Sequence, residues 1–233
     1  VQNHIRAREL ISKGKITTDS YEKTNLKNSI NRKNKRLIEH IHREIDLLFL
    51  SRLTRVKGIF IFLDALCDLC NDLEFLNQIN IVIAGLPTDE FLHKYSKIKK
   101  LFANKNNLNV YYYGSISEEE KWNIFFNSKN FILPTLSDSF GIAAIEALSA
   151  NVNVASTRML GCSNIIDSLE SFTYLNPEKE SIKKYIKNLL RNQNKNKSPD
   201  YSMVRSLLNN KISINNQSLQ YSKLLKNKLF KND

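Results

Sequence analysis

The sequence predicts an α/β fold, a Rossmann-like parallel sheet with helices on both faces. Short runs rich in Ile, Val, Phe and Tyr alternate along the chain with longer segments of helical period. Five of the six glycines lie at or just beyond the ends of these segments, where helix entry and close backbone approach favour glycine. With 233 residues and 42% hydrophobic composition, the chain can bury a sizeable core.

The predicted elements follow one another in the order strand, helix, strand. The strands are apolar runs without strict alternation, which is typical of strands buried on both faces of a parallel sheet. The predicted strands are residues 45–51, 79–85, 108–114, 130–134 and 152–156, with 171–176 as a sixth. The predicted helices are residues 59–73, 89–102, 117–128, 140–150 and 179–192.

The net charge of +12 is concentrated at the two ends of the chain. Residues 1–44 carry +6, residues 45–178 carry −4 and residues 179–233 carry +10. A basic flank can hold nucleic acid or an anionic membrane surface, but a biased Lys and Asn composition without any binding role is the more economical interpretation. No apolar run approaches the roughly 20 residues that a membrane-spanning helix needs.

Three cysteines argue against a disulfide framework and suit a reducing compartment. Cys67 and Cys70 form a C-x-x-C pair, but both lie on one side of an apolar predicted helix, which favours packing over a redox or zinc site. His40 and His42 alternate in a polar stretch, and we interpret them as surface or linker residues.

A polar loop follows the fourth predicted strand, in the stretch LPTLSDSFG. Asp138 and Ser139 lie just before Phe140 and Gly141, where the next helix is predicted to begin. Free backbone N–H groups and the helix dipole at such a start favour an anion such as phosphate. A purely structural role for Asp138, as the N-cap residue, is equally open.

Three further charged residues are candidates for the same site. Glu146 lies between two apolar residues inside the predicted helix, and a carboxylate close to the core needs a partner. Arg52 follows the first strand, and Lys57 precedes the glycine before the first helix. Cations at the carboxyl end of a strand can neutralise a diphosphate, although a solvated basic turn is the alternative.

These pieces occur in one uninterrupted order over residues 45–177. Asp138 and Glu146 are separated by seven positions, and an Arg-Leu pair precedes a Lys-Gly pair after the first strand. Together they resemble the signature of the retaining glycosyltransferases of family four. The stretches that carry the resemblance are SRLTRVKG, INIVIAGLP, VYYYGSIS, LPTLSDSFGIAAIEALSANVNVAS and TRMLGCSNII.

The resemblance implies the GT-B fold, in which two Rossmann-like domains face a cleft and the C-terminal one binds a nucleotide-sugar donor. This chain resembles that C-terminal half. By position, Arg52 and Lys57 would hold the donor diphosphate. Glu146 would accept hydrogen bonds from the ribose hydroxyls, and Asp138 would face the donor sugar. These four are the residues to which the resemblance assigns catalytic roles.

The remaining contacts implied by the resemblance are made by backbone and apolar groups. The amides around Ser139, Phe140 and Gly141 would contact sugar or phosphate, and Ile116 would flank the base. Asp138 stands where the family usually has Glu, and Asn164 stands where it commonly has Glu. The shorter Asp138 side chain would change the sugar or weaken the activity.

The implied activity is a retaining, metal-independent hexosyl transfer in polysaccharide biosynthesis, with this segment being part of the enzyme. The donor is a nucleotide sugar, a UDP-sugar being one candidate, and no further cofactor is expected. The acceptor is a glycan or a lipid-linked molecule. The expected location is the cytoplasm or its inner membrane face, with peripheral membrane contact. No Asp-x-Asp motif, the usual metal-holding device of the other large glycosyltransferase fold, occurs.

Alternative functions remain open at this point. Within the fold, a non-catalytic nucleotide-binding module or a nucleotide-sugar epimerase is the alternative. From another class, a basic nucleic-acid-binding α/β protein would fit the charge, but nucleic acid is not the expected partner because the basic stretch 31–36 contains no aromatic residue.

The predicted domain organisation has three parts. Residues 1–44 are predicted to be the remnant of an N-terminal domain and a linker, and residues 45–195 the nucleotide-sugar-binding domain. Residues 196–233 are predicted to form C-terminal helices that pack back toward the N-terminal domain. The rest of that N-terminal domain is expected to be a partner missing from this segment.

Overall fold

The computed structural model describes residues 43–70, 78–103, 108–191, 201–207 and 209. Six strands form one sheet, and every neighbouring pair is parallel. The strands are β1 (Ile45–Leu50), β2 (Ile79–Ala84), β3 (Leu108–Tyr112), β4 (Ser128–Leu133), β5 (Asn153–Ser156) and β6 (Phe172–Tyr174). Their spatial order is β3-β2-β1-β4-β5-β6, so the α/β prediction is confirmed.

The helices connect the strands and cover the sheet. They are α1 (Ile59–Cys70), α2 (Asp89–Ala103), α3 (Glu118–Phe126), α4 (Ile142–Ser149), α5 (Ser163–Ile166), α6 (Lys179–Arg191) and α7 (Tyr201–Leu207). Because parallel crossovers are right-handed and the strand order runs in opposite directions from β1 and from β4, α1 and α2 lie on one face and α4 lies on the other. Helix α1 packs against both α2 and α6, and α4 packs against β5 and α7.

The core lies on both faces of the central strands. All six residues of β1 are buried, as expected for a strand flanked by β2 and β4 and covered by helices. Phe49 stacks on Phe62 of α1 with ring centroids 5.6 Å apart. The apolar runs of the sequence are therefore continuous because both faces of each central strand are covered.

The structure differs from the prediction at several element ends: β4 begins at Ser128 rather than at residue 130, and α3 ends at Phe126 rather than at residue 128. Helix α4 begins at Ile142 rather than at residue 140, because Gly141 at its N-cap is left-handed, with φ 90° and ψ 45°. The sequence pattern missed α5, since four residues are too few to show a helical period. Cys67 and Cys70 are free thiols on α1, and Cys70 is buried, which agrees with packing. His40, His42 and the predicted parts before residue 43 lie outside the described residues.

One arginine joins neighbouring segments at the amino edge of the sheet. Arg43 precedes β1, and its guanidinium donates hydrogen bonds of 2.6 Å to the carbonyls of Ser128 and Asn151 and of 3.0 Å to that of Ala150. Arg43 therefore ties the start of β1 to β4 and to the turn before β5.

Replacing Arg43 by methionine should lower the free energy of unfolding by about 2 kcal/mol, because hydrogen bonds to a charged group are lost and three carbonyls lose a donor. Urea unfolding followed by circular dichroism measures this. Lys184→Met, at an exposed position of α6, is the control and should stay within about 0.5 kcal/mol of the wild type. Equal effects in both variants would contradict the structural role of Arg43.

Candidate functional site

The candidate site lies at the carboxyl edge of the sheet, where the loops after β1 and β4 leave in opposite directions. Such a reversal of strand order opens a crevice, and ligands of open α/β sheets bind there. The two loops are joined by hydrogen bonds: the Leu136 N–H donates to the Val56 carbonyl (2.7 Å), and the Thr135 hydroxyl donates to the same oxygen (3.0 Å). The polar residues predicted to follow β1 and those predicted to follow β4 therefore lie close together.

Lys57 and Asp138 form a further contact between these two loops. The Lys57 Nζ donates to Asp138 Oδ2 at 2.5 Å, and the two side chains are only 13% and 15% exposed. Asp138 Oδ1 accepts a hydrogen bond of 3.3 Å from the Phe140 N–H. Asp138 is thus not the N-cap residue of α4, as one alternative had it, but orients Lys57 and shapes the loop before the helix.

The start of α4 presents unpaired backbone donors beside this ion pair. Within the described residues, the N–H groups of Ser139, Gly141, Ile142 and Ala143 donate no hydrogen bond, and no side chain caps the helix. The Phe140 amide differs from its predicted companions because it is engaged by Asp138. Free amides at a helix N-terminus, next to a lysine, form a site suited to a negatively charged oxygen.

The loop after β5 fixes this segment from the other side. The Asp138 N–H donates to the Met159 carbonyl (3.1 Å), and the Gly161 N–H donates to the Asp138 carbonyl (3.0 Å). A Cβ on Gly161 would lie 2.0 Å from the Ser139 carbonyl oxygen, so only glycine allows this approach. Burial, with a smaller effect of Asp138, raises the pKa of the Cys162 thiol to about 11, so this thiol stays protonated at neutral pH.

Glu146 has the partner that its position required, and that partner is Lys121. The Lys121 Nζ donates to Glu146 Oε1 at 2.6 Å, and the side chains are 16% and 20% exposed. Lys121 also pairs with Glu118, at 2.7 Å. Burial alone would lower the pKa of Lys121, but the bonds to Glu118 and Glu146 outweigh burial and raise that pKa.

Lys121 was missed by the sequence interpretation. Its only local signal is Glu118 one helical turn earlier, which is typical of an exposed helix pair. Glu146 lies 25 positions further along the chain, on another helix. The contact exists because α3 leads from the far edge of the sheet back to β4, next to α4.

The other predicted residues lie near the edge without a direct contact to these pairs. Arg52 is exposed in the loop after β1, and within the described part of the chain its guanidinium makes no hydrogen bond or ion pair. Ile116 is partly buried in the loop after β3, where it packs against the core. The structure therefore brings Lys57 and Asp138 together and leaves Arg52 open to solvent.

Exposed apolar side chains surround the same edge of the sheet. We call this set the apolar rim, and each member is at least 45% exposed. An exposed apolar surface of this kind is typical of a surface that contacts another molecule or domain. The apolar rim consists of Val56, Leu86, Leu136, Ile142 and Met159.

Two further properties concern the described ranges alone. They contain no group of three or more His, Cys, Asp and Glu side chains arranged to hold a metal ion. None of the helices resolved in those ranges combines the length and the apolar character needed to cross a membrane.

The family of the chain follows from its match to a family model. The model describes the glycosyl transferases group 1, and it matches residues 31–202, more than half of the chain. The chain belongs to this family. The region of this glycosyltransferase domain that the model matches contains every residue of the candidate site. Among curated proteins, no sequence match was found.

Solved structures of other proteins show the same fold. A glycosyltransferase from Rickettsia africae matches with a TM-score of 0.62 and 18% identity over 94% of this chain and 54% of that one. Sucrose-phosphate synthase from Thermosynechococcus elongatus matches with a TM-score of 0.65 and 15% identity, over 88% and 49% of the two chains. Anabaena Alr3699/HepE, in complex with UDP and glucose, matches with a TM-score of 0.62 and 15% identity, over 78% and 48%. This glycosyltransferase domain thus spans about half the length of these proteins.

Proposed function

We propose that this chain is the donor-binding domain of a retaining glycosyltransferase. The observation that carries the proposal is the Lys57–Asp138 ion pair beside the free amides that open α4, at the point where the strand order reverses. The donor is a nucleotide sugar, and its leaving group is a nucleoside diphosphate. A hexose or a related sugar is transferred to a glycan or a lipid-linked acceptor.

In the proposed reaction, the site must stabilise the charge of the departing diphosphate. Breaking the bond between sugar and phosphate leaves growing negative charge on the phosphate oxygens, and preorganised positive groups stabilise it. Lys57, fixed by Asp138, and the exposed Arg52 supply two cations, and the start of α4 supplies N–H donors. These groups make a divalent metal unnecessary in the proposed mechanism.

Glu146 and Asp138 have different tasks in this proposal. The Glu146 carboxylate accepts hydrogen bonds from the ribose hydroxyls, while Ile116 lies against the base. Asp138 lies next to the donor sugar and keeps Lys57 directed at the diphosphate. Retention would proceed through an oxocarbenium-like transition state on one face of the donor, so the protein's contribution is positioning and electrostatics.

The apolar rim supports the proposal of a second domain. Five exposed apolar side chains around the donor edge would be covered by the acceptor-binding domain of the same protein when the cleft closes. We place the complete enzyme in polysaccharide biosynthesis, in the cytoplasm or at the inner face of the membrane. Fractionation of cells producing the full-length protein, with and without a salt wash, tests this location.

A calorimetric titration with UDP, GDP and ADP, in EDTA and moderate salt, tests the proposed donor site. We expect one of the three nucleotides to bind with 1:1 stoichiometry, because the cations and amides at the start of α4 need no metal to hold a diphosphate. Repeating the titration with Mg²⁺ in place of EDTA should leave the affinity within about twofold.

Other outcomes of this titration contradict the proposal. Binding that appears only with Mg²⁺ would contradict metal independence. No binding of any nucleotide, together with steeply salt-dependent binding of DNA or RNA, would favour a nucleic-acid-binding protein instead. A non-catalytic module would be favoured if the chain binds a nucleotide but the full-length protein neither transfers the sugar of the matching nucleotide sugar nor hydrolyses that donor slowly.

A further inference from the structure

We propose that Lys121 is a positioning residue for donor recognition: its ammonium group holds Glu146 Oε1, so that Oε2 is directed at the vicinal hydroxyls of the donor ribose. This inference rests on the proposed function, since it assigns a role within the same donor site. Lys121 lies on α3, whereas Arg52, Lys57 and Asp138 lie in the loops after β1 and β4.

The first support is the geometry of the ion pair. Lys121 Nζ lies 2.6 Å from Glu146 Oε1, while Glu146 Oε2 accepts no hydrogen bond within the described residues. A carboxylate has about four lone-pair directions on its two oxygens. One oxygen of Glu146 is therefore committed to Lys121, and the other is left as an acceptor.

The second support is the limited solvent access of both side chains. Lys121 is 16% exposed and Glu146 is 20% exposed, so few water molecules compete for the charges. A charge-assisted hydrogen bond in such surroundings restrains the rotation of the carboxylate more than an exposed pair would. The orientation of Glu146 is thus fixed before a ligand arrives.

The third support is the position of Lys121 on its helix. Lys121 is the fourth residue of α3, near the positive end of the helix dipole, where a lysine is electrostatically unfavourable. A capping box fixes this first turn: Ser117 and Glu120 exchange backbone and side-chain hydrogen bonds of 2.8 and 3.2 Å. These bonds stabilise the first turn from which Lys121 reaches Glu146, and Glu118 also contacts the Lys121 ammonium group, at 2.7 Å.

The location of Lys121 links two parts of the donor site. It follows the loop that contains Ile116, which is expected to flank the base, and it contacts the helix whose start is expected to hold the diphosphate. The ribose lies between base and diphosphate in every nucleoside diphosphate. A residue that joins these two elements is therefore well placed to control the ribose contact.

The test compares UDP with 2′-deoxy-UDP by calorimetry, or the corresponding ADP or GDP pair if the titration above selects another base. The wild-type chain should prefer the ribonucleotide by about tenfold, as expected for a hydrogen bond to a charged acceptor. Lys121→Met should lower this preference to about twofold, and Lys121→Arg, which keeps the cation, should retain most of it. In the Glu146→Ala background, Lys121→Met should change the preference no further.

Lys129→Met is the matched control. Lys129 pairs with Asp46 at 2.7 Å on the opposite, amino edge of the sheet, so its loss removes a lysine–carboxylate pair of similar length, although with a more exposed lysine, remote from the proposed donor site. It should leave the ribose preference unchanged. If Lys121 had a merely structural role, its replacement would lower the melting temperature and weaken the binding of both nucleotides equally.

The outcomes separate the two proposals. Failure of the wild-type chain to bind any ribonucleotide would overturn the proposed function and this inference with it. The inference alone would be overturned if Lys121→Met binds nucleotides with an unchanged ribose preference, or if it loses equal affinity for the ribonucleotide and the 2′-deoxyribonucleotide.

Discussion

Replacing Glu146 by alanine should weaken binding of the nucleoside diphosphate by about 30-fold or more. The carboxylate is partly buried and already oriented, and hydrogen bonds between a ribose and a charged acceptor contribute about 1.5–3 kcal/mol each. A loss of about 2 kcal/mol corresponds to the stated factor.

Calorimetric titration of both proteins with the same nucleotide measures the effect, and the melting temperature shows whether the variant is folded. Glu180→Ala is the control, because Glu180 also pairs with a lysine, Lys183, which lies one turn away on α6. The control should bind within about twofold of the wild type. If Glu146→Ala were to bind as tightly as Glu180→Ala, the assignment of Glu146 to the ribose would be wrong.

Replacing Gly58 by alanine should lower the free energy of unfolding by about 3 kcal/mol or more. Gly58 is left-handed, with φ 79°, and this conformation costs an L-residue about 1–2 kcal/mol. The added Cβ would also lie 2.0 Å from the Pro134 carbonyl oxygen, so the loops after β1 and β4 would have to separate. Because Lys57 is the preceding residue, its contact with Asp138 would be displaced as well.

Urea unfolding followed by tryptophan fluorescence measures the change. The slope of the unfolding free energy against urea concentration should be unchanged if the folded and unfolded states keep their compactness. Gly58→Asn separates the two causes. Asparagine tolerates the left-handed conformation but still carries a Cβ, so it should be nearly as destabilising as alanine. Recovery of most of the wild-type stability in Gly58→Asn would show that backbone conformation, rather than contact with Pro134, dominates.

Much of the fold could be predicted from the sequence because its signals are local. Each strand is an apolar run followed by a turn, and the glycines at the carboxyl ends have the positive φ that such turns require, as Gly85 and Gly114 show. The start of α4 was predicted two residues early because an apolar pattern does not reveal a left-handed glycine at the N-cap.

The candidate site was predictable in composition and less so in its contacts. Lys57, Asp138 and Glu146 were all recognised as charged residues that needed an explanation. Their pairing was not readable, since Lys57 and Asp138 lie 81 positions apart and Lys121 and Glu146 lie 25 apart on different helices. The roles of Arg52 and of the amides near Ser139 in holding a donor stay predictions.

The sequence by itself determined which segments become buried strands, which become helices, and which polar residues follow the strands, because burial pattern and turn chemistry are properties of neighbouring residues. Only the tertiary structure decided which lysine meets which carboxylate. That depends on the strand order β3-β2-β1-β4-β5-β6, which places the loops after β1 and β4 side by side and returns α3 to the flank of α4. Strand order is set by packing across the whole domain, and no local pattern contains it.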